Sequence, residues 1–217
     1  MPDRRTFLSY SATTAAGLWV TPGAFAQRLE DAAKPAVLTP WATEGPFYPD
    51  ELPLDVDNDL IVIGDATTPA VGEVVDLTGR VVSPAGEPVR NATVEIWQTD
   101  NNGVYLHSRS SGRRNYDSHF QGFGRFETAA DGRFRFRTIK PRPYPGRTPH
   151  IHVAIERGGR RILTTQLYVK GEARNGRDFL YRRIRTEAER DNVTLDFVPT
   201  SGSEVPIWAA ECELVVV

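Results

Sequence analysis

From about residue 59 onward, short apolar runs recur between turn-forming residues: "DLIVIG", "VVDLTGRVVS", "ATVEIWQTD", "GRFRFRTI", "HIHVAIE", "RILTTQLYV" and "ECELVVV". "GRFRFRTI" alternates charged and apolar side chains with period two, the pattern of a strand buried on one face. Pro84-Ala85-Gly86, Asn102-Gly103, Asp131-Gly132 and Gly158-Gly159 fall between the runs, where the chain has to turn. Strands this short and this evenly spaced predict an all-β fold. We expect a β-sandwich or barrel-like core of short antiparallel strands, joined by long loops. One short helix is predicted, from about Asp178 to Glu189 within "GRDFLYRRIRTEAERDN". Residues 27–70 carry many prolines and acidic side chains but little periodicity, as in "TPWATEGPFYPDELPLD". They read as an extended arm that wraps a β domain spanning residues 71–217.

Composition narrows the function classes. The 217-residue chain is 40% hydrophobic and 25% charged, with a formal net charge of -2. Such a chain is globular and has no strong electrostatic attraction to nucleic acid or an anionic membrane. The arginine clusters "GRRNYD", "GRFRFR" and "RRIRTEAER" have acidic residues among and around them, as solvated surfaces do. A single cysteine, Cys212, excludes an intramolecular disulfide framework and any multi-cysteine zinc site. Its setting in an alternating apolar run predicts a buried, inert thiol.

The N-terminus has a character of its own. Arg4-Arg5 is followed by Thr6-Phe7-Leu8, a weakly apolar stretch and then Ala24-Phe25-Ala26. The pair resembles a twin-arginine export signal, and the small-x-small ending resembles a signal-peptidase site. Residues 1–26 are therefore expected to be a signal peptide, and the protein to be exported, to the periplasm, by the twin-arginine machinery. The stretch is too short and too polar to insert stably in a bilayer.

Candidate chemistry centres on "KPRPYPGRTPHIHVAI". In a strand, residues i and i+2 share a face, so His150 and His152 project together while Ile151, Val153 and Ile155 face the core. Two neighbouring imidazoles are a natural half of a metal site. A solvated polar pair is the plainer alternative. A two-histidine, one-carboxylate site would imply ferrous iron, yet no Asp or Glu lies between Asp131 and His150. The nearest anionic oxygen donor is the phenol of Tyr144, a hard ligand that favours ferric iron. Tyr105 follows the turn "TDNNG" at the end of a predicted strand. On its own it reads as a packed aromatic.

These segments together resemble the intradiol ring-cleavage dioxygenases. The resemblance rests on "TEGPFYPD", "LTGRVVSPAGEPVRNATVEIWQTDNNGVY", "FQGFGRFETAADGRFRFRTIKPRPYPGRTPHIHVAI" and "LTTQLYV", in order over most of the chain. It is closest to the β-subunit type of protocatechuate 3,4-dioxygenase. It implies one non-haem Fe(III) bound by Tyr105, Tyr144, His150 and His152, with Tyr144 the ligand that leaves when substrate binds. Arg147 matches an arginine over the substrate ring, and Gln166 a glutamine lining the same pocket. The implied partners are an aromatic diol and dioxygen, with a homo-oligomer allowed. Only five residues separate Tyr144 from His150, a shorter loop than many members have, which bears on the choice of diol. His107 and His119 are expected to be pocket or surface residues, and Tyr116 to lie outside the ligand set. A non-catalytic, peptidase-regulatory-like sandwich would share "LTGRVVSPAGEPVRNATVEIW" but has no use for both "NNGVY" and "YPGRTPHIH". A ferrous or zinc hydrolase would need a nearby carboxylate ligand.

Overall fold

The structure, a computed structural model, describes residues 36–200 and 206–217. The expected signal peptide lies outside the described residues. Among the described residues, nine strands form two mixed sheets that face each other as a sandwich. The strands are β1 (Val74–Val82), β2 (Thr93–Trp97), β3 (Phe123–Glu127), β4 (Arg133–Ile139), β5 (His150–Arg157), β6 (Arg160–Val169), β7 (Thr194–Leu195), β8 (Val198–Pro199) and β9 (Trp208–Val215). The orders are β4-β1-β9-β8 and β3-β2-β5-β6-β7, so both sheets keep free edges and neither closes into a barrel.

Pairing is mostly antiparallel, with two exceptions to the expected pattern. β1 runs parallel to β9, and β6 parallel to β7. The parallel β1–β9 pair joins the two ends of the β domain, a juxtaposition that local periodicity cannot specify. β4 alternates as its sequence predicts: Arg133, Arg135 and Arg137 face solvent, while Phe134 and Phe136 enter the core. They meet Leu77, Val94, Ile96, Ile151, Val153, Ile155 and Leu214 between the sheets. Cys212 lies in the same core, where burial pushes its thiol up to about 12. β5 and β6 are joined by Gly158-Gly159, with φ of +57° and +73°, the backbone that a tight hairpin requires.

Two expected elements differ. "DLIVIG" forms no strand. Asp59 Oδ1 accepts from Ile61 N at 3.0 Å and turns the chain, dropping Leu60 and Ile61 into the core. The expected helix of residues 178–189 is replaced by two single 3-10 turns, Asn175–Arg177 and Tyr181–Arg183, followed by α1 (Glu187–Asn192). The helix starts late because its capping box is Thr186 with Glu189. The Thr186 side chain accepts from Glu189 N, and the Glu189 carboxylate accepts from Thr186 N.

β5 is buried on both faces, unlike β4. One face packs into the sandwich. The other, carrying His150, His152 and Ala154, lies under residues of the N-terminal segment. That segment forms no helix or strand from residue 36 to 70. Phe47, Tyr48 and Val56 pack over Trp97, Tyr105, Phe123 and Ala154 in a second, smaller apolar cluster. A buried carboxylate anchors the cover: Glu95 accepts from Tyr48 Oη (3.1 Å), Arg125 Nε (2.7 Å) and Arg161 Nη2 (3.1 Å). Arg161 also reaches Glu44 at 3.2 Å.

Candidate metal centre

Period two in β5 places His150 and His152 on the covered face, and the ladder aligns their neighbours. His152 pairs with Trp97 on β2 and Gln166 on β6, and His150 pairs with Tyr168. Trp97 stacks on the His152 ring, with centroids 4.7 Å apart and planes 10° from parallel. Tyr105 reaches the pair from the loop after β2. Its hydroxyl lies 3.2 Å from His150 Nε2 and 3.1 Å from His152 Nε2, and the two nitrogens are 3.2 Å apart.

Protons cannot satisfy this triangle. His150 Nδ1–H donates to Thr148 O at 2.6 Å, which leaves its Nε2 a bare lone pair. At most the Tyr105 proton and one His152 proton remain for three edges. His152 Nδ1 is buried and has no partner among the described residues. Neither imidazole can charge to help. Burial, reinforced by Arg147, lowers His150 to about 3, and burial with His150 and Arg147 lowers His152 well below its ordinary value. Burial, with Tyr144 nearby, raises the Tyr105 phenol well above 10. A shared cation would resolve the arrangement. Two ligands about 2.0–2.1 Å from one ion, at roughly 100°, are separated by edges of this length. With no cysteine or carboxylate among the converging atoms, the donor set is nitrogen and phenolic oxygen, which suits a hard, highly charged first-row ion.

Tyr105 is set by a buried carboxylate. Asp100 Oδ1 accepts from Asn102 N and Val104 N, both at 2.9 Å, and Oδ2 from Asp117 N at 2.7 Å. Gly103 completes the turn at φ +76°, and a Cβ there would lie 2.6 Å from Pro143 O. The glycine thus lets the Tyr105 and Tyr144 loops touch.

Tyr144 lies beside the triangle, its ring centroid 5.4 Å from Tyr105 and 5.8 Å from His150. Its hydroxyl accepts from Arg147 Nη1 at 3.3 Å. Arg147 is buried and also donates to Gln166 Oε1 (2.6 Å) and to Asp178 Oδ2 (2.8 Å). Asp178 binds Thr148 N with the same oxygen, and Leu180 N and Tyr181 N with the other. Burial favours neutral Asp178, but the hydrogen bonds from Arg147, Tyr181 and Thr148 outweigh it and hold the carboxyl below its usual range. Gln166 Nε2 donates to Thr43 O at 3.1 Å, tying the site to the N-terminal cover.

The structure therefore gathers Tyr105, His150 and His152 at one point, with Tyr144, Arg147 and Gln166 in contact around it. His107 is buried beside Phe47 but takes no part in the triangle, and its Nδ1 accepts from Arg109 N. His119 is exposed, and Tyr116 donates to Phe120 O at 2.6 Å, away from the site. Among the described residues no cluster of His, Cys, Asp and Glu alone could hold a metal, because half of the converging groups are phenols. Sequence reasoning missed Asp100, Asp178, Trp97 and Phe47. Asp100 sits in a visible turn signal, "TDNNG". The site-forming bonds of Asp178 leave no local mark, since Arg147 and Thr148 lie 31 and 30 residues upstream.

Comparisons with known proteins point to a dioxygenase family. A family model described as "Dioxygenase" matches residues 43–194. The protocatechuate 3,4-dioxygenase beta chain of Burkholderia cepacia is 37% identical over 151 residues, covering 65% of this chain and 63% of that one. Hydroxyquinol 1,2-dioxygenase of Rhodococcus opacus is 29% identical over 172 residues, covering 71% and 52%. The chain thus spans between half and two thirds of the length of these curated relatives. Among solved structures, the dioxygenase domain of a dioxygenase–carbohydrate-binding protein fusion from Streptomyces sp. SirexAA-E superposes with a TM-score of 0.60 at 30% identity, covering 83% of this chain and all of that one. The match spans the Tyr105 turn, the Tyr144 loop, the histidine strand and Gln166: this chain belongs to the intradiol ring-cleavage dioxygenase family.

Proposed function

We propose that the protein is a non-haem Fe(III)-dependent dioxygenase. It would cleave the ring of a catechol-type diol (protocatechuate, catechol or a hydroxyquinol-like compound) between its hydroxyl-bearing carbons, giving a cis,cis-muconate-type diacid. The observation that carries the reading is the buried Tyr105–His150–His152 triangle with Tyr144 at its side. The dioxygenase relatives named above support it. Both oxygen atoms of O2 enter the product, so the reaction balances without an external reductant.

Tyr105, His150, His152 and Tyr144 would hold the ion. The chemistry supplied by such an ion would be Lewis acidity toward the diol and activation of its ring toward dioxygen. The remaining work belongs to the chain. Tyr144 is half-buried rather than sealed, and its oxygen already receives a hydrogen bond from Arg147, so its phenol oxygen is placed to take up a diol proton. Arg147 is pinned by Asp178 and Gln166 and offers a fixed cation where negative charge builds on the ring. Trp97 and Phe47 stack on His152 and Tyr105 and keep water from the ligand atoms.

Iron-loaded protein is expected to be red to burgundy, and to consume oxygen and form diacid with at least one of catechol, protocatechuate and hydroxyquinol. A colourless sample carrying a full complement of iron would overturn the tyrosinate assignment. No diol consumed by bound ferric iron would overturn the activity. We also propose export through Arg4-Arg5. Replacing both with lysine should leave the protein in the cytoplasmic fraction, and continued export would refute that route.

A further inference from the structure

On the Gln166–Tyr168 side of the candidate metal centre lies a cavity of about 590 Å³. Its floor is the buried Thr165, Gln166 and Tyr168. Gln166 and Tyr168 are the ladder partners of His152 and His150, so this wall of the cavity is next-door to the metal ligands. The rim is different in kind. Trp41 and Phe179 line it while 63% and 53% exposed, an unusual state for two large aromatic side chains at one opening. Leu180 and Ile184 continue the apolar wall, and Arg183 and Arg185 stand at its outer end.

Phe179 connects the two zones. The Arg147 guanidinium lies 5.4 Å from its ring centre, and that of Arg183 lies 5.8 Å away. An aromatic face thus leads from the inner arginine to an outer one. The carboxylate on the same wall, Glu189, is engaged by Thr186 N in the helix cap.

We propose that this cavity is a subsite for a substituent on the diol ring: an apolar arm of two or more carbons ending in a carboxylate. The arm lies between Trp41 and Phe179, and the carboxylate pairs with Arg183 or Arg185. This rests on the proposed dioxygenase reading and extends it from a bare ring to an elongated acidic catechol.

The test compares catechol, propylcatechol and dihydroxyphenylpropionate on iron-loaded protein, following oxygen uptake. Binding is measured separately by calorimetry under argon. Dihydroxyphenylpropionate is expected to exceed catechol at least about tenfold in kcat/KM, with propylcatechol between them. Arg183→Gln should remove the advantage of the carboxylate over propylcatechol, and Trp41→Ala that of the propyl group over catechol. Equal kcat/KM for all three diols, or variants that lower all three equally, would overturn the subsite. If no diol is consumed, the activity reading fails on its own. The calorimetric order of dihydroxyphenylpropionate over catechol, or its absence, then decides the subsite. A dimer that Trp41→Glu dissociates would also overturn it, since a second copy would then cover the rim.

Discussion

Two loops bring a tyrosine to the same point and do so in opposite ways. The Tyr105 loop is tied from inside by Asp100, and Tyr105 N donates to Ser110 Oγ at 3.0 Å. Its side chain is 1% exposed and lies within hydrogen-bond distance of both histidines. The Tyr144 loop contains Pro141, Pro143, Pro145 and Pro149, which stiffen the backbone but remove donors. Its tyrosine is half-buried, and its hydroxyl is held by one long contact to Arg147. The first loop fixes its tyrosine and the second leaves its tyrosine freer, which under the proposed function suits a ligand that stays and one that moves. Burial and backbone hydrogen bonding make the distinction, since the side chains are identical.

The largest effect should come from removing the fixed tyrosine. Tyr105→Phe leaves two imidazoles without their oxygen, and is expected to lower iron affinity more than about 100-fold, measured as metal retained after dialysis against a chelator. Tyr144→Phe should retain most of the iron yet lower turnover by about 100-fold, with a shifted visible band. Equal iron loss in the two variants would erase the distinction between the loops.

A third substitution tests how the mobile side is held. Asp178→Ala strands the buried Arg147 charge and should cost about 3 kcal/mol in chemical denaturation. Because the folded-state carboxyl is depressed, its contribution is present above the ordinary carboxylate pKa of about 4 and is lost as pH falls through the lower folded value. Wild type should therefore lose stability on acidification below about pH 4 more steeply than Asp178→Asn. The smallest of the four effects is predicted at the seam between the loops. Gly103→Ala must hold φ +76° and meet Pro143 O at 2.6 Å, for about 1–3 kcal/mol of strain. Its turnover should fall with its iron content still intact, because the Tyr144 loop is the one displaced.

Much of this was legible in the chain. β4 and β5 are visible from period two, and the histidine pair from the same rule. The helix begins later than the sequence suggests, because its capping box is Thr186 with Glu189 and lies well after Asp178. "DLIVIG" has the composition of a strand, but Asp59 caps its backbone locally and the apolar side chains plug the core instead. Asp100 and Asp178 each shape their own turn, but their bonds to Asp117 N and to Arg147 and Thr148 N cross to other segments and leave no trace in residue spacing.

By itself the sequence determined the strand rhythm, the shared face of His150 and His152, and, through its motifs, the family. These follow from local geometry: a strand's period depends only on adjacent residues. The tertiary structure alone decided that Tyr105, 45 residues before His150, meets both imidazoles. It also decided that Phe47 and Tyr48 pack over Tyr105 and Trp97, and that Asp178 holds Arg147. Those contacts depend on how two sheets and an irregular arm pack, where burial makes unpaired polar atoms costly and so selects one arrangement.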